Sequence, residues 1–154
     1  MQIFIGVDPG KKGAYAIMSV ADGENVYMEV KPWDDQRFAD DMRYIAVKNS
    51  QDRVLCTVED VHSLPHEGVK SAHSFGKSCG YIEGVLRALQ IPYQTVIPQK
   101  WKKEWSLTND KKQSIETCKK LYPSLSLRAS ERCRTDSDDL AEAALIATWG
   151  KRHF

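Results

Sequence analysis

The chain has 154 residues, 42% of them hydrophobic, and a net charge of +1. That is enough for one compact domain over 1–154, burying roughly 68–70% of the extended chain's surface without a disulfide or metal staple. No apolar run approaches the roughly 20 residues that cross a bilayer, and the opening MQIFIGVDPG has neither a basic lead nor a cleavage site. No membrane contact and no secretory leader are therefore expected, and a soluble, cytoplasmic protein is.

In chain order, residues 2–7 alternate and are rich in β-branched side chains, which predicts a strand ending at Asp8. Pro9-Gly10-Lys11-Lys12-Gly13 is a turn, residues 14–20 are the returning strand, Asp22-Gly23 marks a second hairpin turn, and residues 25–30 complete a meander. Asp34 or Asp35 can cap a helix to about Lys48, with Phe38, Met42, Ile45 and Ala46 on one face. The apolar run 53–58 predicts a buried parallel strand, and residues 62–70 a loop.

Residues 72–89 predict a helix that carries Gly76, Gly80 and Gly84 on one face. Each glycine costs roughly 1 kcal/mol against alanine, which suggests a close backbone approach by another helix or by DNA. Residues 93–97 are a strand, and Pro98 opens a short helical or irregular piece to Trp105. Asn109 or Asp110 caps a helix to about Tyr122, residues 124–134 are a basic loop, and a last helix runs from about Ser137 to Trp149. A three-strand meander followed by alternating strands and helices predicts an α/β fold: a mixed sheet, an antiparallel three-strand meander plus parallel strands, with helices on both faces.

The four cysteines, Cys56, Cys79, Cys118 and Cys133, form no C-x-x-C pair. A disulfide framework or zinc site is therefore not expected.

Charge is unevenly spread. Residues 1–65 hold 7 Lys/Arg and 11 Asp/Glu, residues 66–134 hold 13 and 6, and residues 135–154 hold 2 and 4. A basic middle between acidic ends suits a polyanion held beside a cation site.

The acids sit where such chemistry needs them. Asp8 ends the first strand, Glu59 and Asp60 follow the fourth, and Asp138, Asp139 and Glu142 open the last helix. If the first and fourth strands are neighbours, Asp8 and Glu59 share one sheet edge. Asp139 and Glu142 are i and i+3, and Asp138 and Glu142 i and i+4, so either aspartate can share a helix face with the glutamate. Taken singly, each has an ordinary explanation: a turn residue, a solvated strand end, a helix N-terminal charge. Taken together, they predict a hard divalent cation, magnesium or as a substitute manganese, because like charges at close range repel without one. Two such ions roughly 3.5–4 Å apart can support phosphodiester hydrolysis.

The segments IGVDPGKKGAYAI (5–17), VEDVHSLPHEGVKSAHSFGKSCGYIEGVL (58–86), VIPQKWKK (96–103), KKQSIETCKKLYP (111–123) and DDLAEAALIA (138–147) resemble, in order, the RuvC-type Holliday-junction resolvases, especially the short versions carried by bacteriophages. The resemblance implies an RNase H-like fold and a metal-dependent crossover junction endodeoxyribonuclease, acting as a homodimer on branched, four-way DNA in a bacterial or phage-infected cell. Asp8 and Glu59 fall on the first catalytic acids of that family. Asp139 and Glu142 fall on the last pair, where the family usually has two aspartates; Asp138 competes as a ligand and Asp136 more weakly. Lys112 falls near a family lysine that supports the scissile phosphate. The family's junction-wedging aromatic falls close to His62.

Lys11 and Lys12 on the first turn, with Lys70, Lys77, Lys100, Lys102, Lys103, Lys111 and Lys112, are expected to grip phosphates. Trp101 and Trp105 lie among them, at a spacing that suits either base stacking or a buried helix face. Other functions remain open at this point: a flap or RNA–DNA hybrid nuclease, a non-catalytic DNA-binding module, or an actin-like ATPase, for which the chain is short.

Overall fold

Alternation and tight turns build the first half of the sheet. In the computed structural model, which describes residues 1–21, 25–49, 53–61, 66 and 68–154, β1 (Gln2–Asp8) pairs antiparallel with β2 (Ala14–Ala21), and β2 pairs antiparallel with β3 (Asn25–Pro32). Gly10 adopts φ +136°, a conformation open to glycine, and its carbonyl accepts from the Gly13 N–H at 3.0 Å to close the first turn. The predicted Asp22-Gly23 turn lies outside the described residues.

The chain then leaves the sheet through α1 (Asp35–Lys48). Asp34 caps it by accepting from the Arg37 backbone N–H at 2.7 Å. It returns as β4 (Val54–Glu59), parallel to β1, and after α2 (Val69–Ala88) as β5 (Tyr93–Val96), parallel to β4. The five-stranded mixed sheet has the order β3-β2-β1-β4-β5. Three helices follow: the short α3 (Pro98–Lys103), α4 (Lys111–Leu121) capped by Asp110, and α5 (Asp138–Arg152) capped by Ser137.

The period of two sorts β1 and β4 between two cores. Ile3, Ile5, Val7, Val54, Cys56 and Val58 pack with Phe38 and Met42 of α1 and Ile82 and Leu86 of α2. Phe4 and Leu55 face the other way, with Ala14, Ala16 and Met18 of β2, onto Leu140, Ala143, Ala144 and Ala147 of α5. Helices thus cover both faces, as the pattern predicts. Among the described residues no helix is long and apolar enough to cross a membrane.

One expectation is not met within the chain. A Cβ added at Gly76, Gly80 or Gly84 would meet nothing within 4 Å. Among the described residues no neighbour approaches that glycine face; of α2, only Ile82 and Leu86 are buried.

Candidate active site

Three elements bring their acids to one end of the sheet. The parallel β1–β4 register sets Val7 opposite Val58, so the next residues, Asp8 and Glu59, stand side by side. Alternation turns both toward the face that α5 covers, since Asp8 follows the phase of Phe4 and Glu59 that of Leu55. Alpha5 lies directly on the β1 backbone. A Cβ on Gly6 would fall inside van der Waals distance of Ala143 O and Ala147 N, so only glycine admits the helix this close. The first turns of α5 then carry Asp139 and Glu142 over Asp8.

Asp8 and Glu59 are 9% and 6% exposed, unusual for carboxylates. Asp8 is pushed well above the usual carboxylate range, first by burial, then by the charges of Glu59, Glu142 and Asp139, and by a hydrogen bond with Glu59. Glu59 is also raised, mainly by burial, while the Trp101 N–H and Lys102 pull the other way. Asp139 is raised by burial and by Asp138, against the pull of Lys111 and Lys12. The four carboxyls of Asp8, Glu59, Asp139 and Glu142 therefore share one basin and repel one another within it.

They are not drawn up as a finished ligand set: among the described residues, no three His, Cys, Asp or Glu side chains are close enough to enclose one ion. Coulombic repulsion reaches farther than coordination, and several of these acids are held by partners of their own. Glu59 Oε1 accepts from Trp101 Nε1–H at 2.8 Å. Glu142 Oε1 accepts from Ser114 Oγ at 3.3 Å and lies 3.6 Å from Lys102 Nζ. Asp138 Oδ2 pairs with Lys111 Nζ at 2.9 Å, and Asp136 pairs with Lys119. The donors are all hard carboxylate oxygens, buried at Asp8 and Glu59 and half-buried at Asp139 and Glu142, a like-charged set whose cost a divalent cation such as magnesium or manganese would relieve. In donor chemistry, though not in the spacing seen here, the residues fit such an ion.

No protein-family model matches the sequence, and no curated protein is detectably similar to it. Solved structures are similar in fold. RuvC of Thermus thermophilus in complex with a Holliday junction substrate superposes with a TM-score of 0.63 at 14% identity, covering 99% of this chain and 96% of that one. A further Thermus thermophilus RuvC structure gives 0.59 at 13% identity, with coverage of 99% and 96%. The Fowlpox virus resolvase in complex with Holliday junction DNA gives 0.59 at 21% identity, with coverage of 97% and 99%. The chain has the RuvC-like fold.

On this RuvC-like frame the predicted lysines take several separate positions. Lys12, Lys102 and Lys111 act on the acid basin. Lys112, the neighbour of Lys111 on α4, is exposed, and its backbone N–H donates to the Asp110 cap at 3.0 Å. Lys11 and Lys77, with Lys70 and His73, line a groove of about 700 Å³ between the first turn and α2, with no carboxylate among the described residues of its walls. Lys103, with Lys102, lines a second groove of about 480 Å³ beside α3. Lys100 holds its ammonium 5.7 Å from the centre of the Trp149 ring. His62 lies outside the described residues.

Trp101 is fully buried, so it packs in the core and does not stack on bases; Trp105 is half-buried beneath the Arg152 guanidinium. Sequence reasoning missed Gly6, which admits α5, and Ser114, which holds Glu142, and it did not link Trp101 to Glu59. A glycine inside an otherwise apolar strand was the one available signal for Gly6.

Proposed function

We propose that the chain is a structure-selective endonuclease, a short RuvC-type resolvase that cuts four-way and related branched DNA by divalent-metal-dependent phosphodiester hydrolysis. The observation that carries this reading is the mutually repelling basin of buried Asp8 and Glu59 with half-buried Asp139 and Glu142, built from β1, β4 and α5 on the RuvC-like frame. Two of the similar structures are resolvases bound to Holliday junction DNA, which supports branched DNA as the substrate.

In this reading Asp8, Glu59, Asp139 and Glu142 hold magnesium or manganese, with Asp138 at the rim. The bound ion would supply a more acidic water and positive charge beside the leaving oxygen. The surrounding side chains position the strand. Lys12 and Lys111 present ammonium groups at the mouth of the basin, and the groove lined by Lys11, Lys70 and Lys77 takes the phosphate backbone of a neighbouring arm. Recognition then depends on DNA shape and phosphates more than on base edges. A four-way junction presents two equivalent scissile strands, so two copies related by a two-fold axis are needed for paired cutting.

The test is incubation with a labelled immobile four-way junction, with and without magnesium, beside flap and RNA–DNA hybrid substrates. Paired nicks on the junction, dependent on magnesium, are expected. Selective cutting of the hybrid or flap would transfer the assignment to another substrate, and magnesium-independent binding without scission would end it.

The geometry also separates two adjacent lysines. Because Lys111 reaches the acids and Lys112 points from the exposed first turn of α4, Lys111→Met is expected to lower the single-turnover cleavage rate about tenfold or more, roughly 1.4 kcal/mol of barrier. Lys112→Met should change it less than about threefold by the same scale. Equal losses would show that the resemblance to the family lysine outweighs the ion pair seen here.

A further inference from the structure

Alpha3 is only six residues long, yet it sets neighbouring side chains on two acids from different elements. Trp101 donates its indole N–H to Glu59 Oε1 at 2.8 Å, and Lys102 brings its ammonium 3.6 Å from Glu142 Oε1. The two contacts differ in kind. The indole is fully buried, in one core cluster with Phe4, Leu55, Leu140 and Leu145, so packing immobilises its N–H. The Lys102 side chain is a flexible stem that supplies charge without a fixed direction.

Glutamate has one more rotatable bond than aspartate, and a carboxylate with that freedom loses entropy when it binds an ion. The indole removes the freedom beforehand. It holds Oε1 at 2.8 Å and so restricts rotation of the carboxylate. Hydrogen-bond partners of this kind orient metal ligands, and their removal typically costs 10–100-fold in metal affinity or activity.

We infer that Trp101 is a positioning residue, whose immobile indole N–H holds the Glu59 carboxylate in the orientation that receives a divalent cation. The inference rests on the metal-dependent reading of the basin given above.

Trp101→Phe keeps an aromatic ring in the core and removes the donor. It is expected to raise the magnesium concentration for half-maximal junction cleavage about tenfold and to lower kcat at saturating magnesium, within the 10–100-fold range for such partners. The junction Kd measured without divalent ion should stay within about twofold, since no phosphate contact is lost. A direct readout comes from the tryptophan indole 1H–15N resonances of the intact protein, one for each of four tryptophans. With Trp101 identified by elimination using Trp33→Phe, Trp105→Phe and Trp149→Phe, its resonance should move on magnesium addition with the midpoint seen for cleavage. In Glu59→Gln that movement should vanish.

A role in packing alone predicts a lower Tm for Trp101→Phe with an unchanged magnesium midpoint and an indole resonance indifferent to magnesium; that result would overturn the inference and leave the nuclease reading intact. Wild-type protein that neither binds magnesium nor cuts branched DNA would overturn both. If Trp101→Phe does not fold, the wild-type resonance decides.

Discussion

Asp8→Asn is expected to abolish junction cleavage and, at the same time, to raise the melting temperature of the metal-free protein. The loss of cutting should reach about 10³-fold or more, roughly 4 kcal/mol of barrier, because Asp8 is the acid on which the charges of Glu59, Glu142 and Asp139 converge. Binding to the junction should be kept or tightened, since a negative charge facing phosphate is removed. The gain in stability follows from the same cluster. The folded-state pKa of Asp8 lies well above its usual value, which for a free aspartate is about 3.9. Between the two values the folded protein holds more protons than the unfolded chain, so stability falls as pH rises through that window and the cost is complete above the folded pKa.

Asparagine carries no such cost. At pH 7 the metal-free variant should melt a few degrees higher, at about 2–4 °C per kcal/mol for a chain of this size. The gap from wild type should close as pH falls toward 4. Magnesium should raise the Tm of wild type and have much less effect on the variant. Thermal melts at the two pH values, with and without magnesium, beside a gel assay for cutting, test every part. A variant that still cuts, or melts below wild type at pH 7, contradicts the basin described here.

Gly6→Ala is expected to be the most damaging methyl group that can be added to the sheet. Its Cβ would collide with Ala143 O and the Ala147 backbone, and helix backbone cannot rotate aside as a side chain does. Alpha5 would have to lift from β1, opening the core of Phe4, Ala16, Leu140 and Ala144. A loss of about 3–5 kcal/mol is expected, the upper range for overpacking and backbone displacement. At about 2–4 °C per kcal/mol that lowers Tm by roughly 6–20 °C. Cleavage should fall further than the folded fraction explains, since Asp139 and Glu142 ride on the displaced helix and metal centres tolerate little misplacement. Circular-dichroism melts, with single-turnover cleavage well below the new Tm, separate the two effects. A variant with wild-type Tm would show that α5 does not sit on the β1 backbone.

Gly150 meets Thr57 in the same way, a Cβ there lying 3.3 Å from Thr57 Cβ and closer still to its hydroxyl. There the obstacle is a side chain, and a smaller loss is expected.

Much of the frame was legible from local patterns. Alternation in residues 2–7 and 14–20, the DPGKKG turn and the apolar run before Glu59 specify strands, because strand period and turn conformation are decided by neighbours in sequence. Asp34, Asp110 and Ser137 mark helix starts for the same reason, and each caps the helix that follows. Asp8, Glu59 and the acids of residues 138–142 were readable as element ends, so their candidacy needed only the guess that β1 and β4 pair.

The tertiary structure decided what local patterns leave degenerate. The spacing of Trp101 and Trp105 fits a buried face or a stacking surface equally, and the partner that settles Trp101 is Glu59, 42 residues away in sequence. Lys111 and Lys112 are equivalent in composition but a helix turns about 100° between them, so only the packing of α4 against α5 selects which reaches Asp138. Gly6 reads locally as a weak point in a strand, and its purpose lies in the backbone of a helix at the far end of the chain. Local periodicity and capping draw their energy from residues a few places apart and can be read from them. Which face meets which neighbour depends on burial shared across the whole core, and that emerges only when the chain is folded.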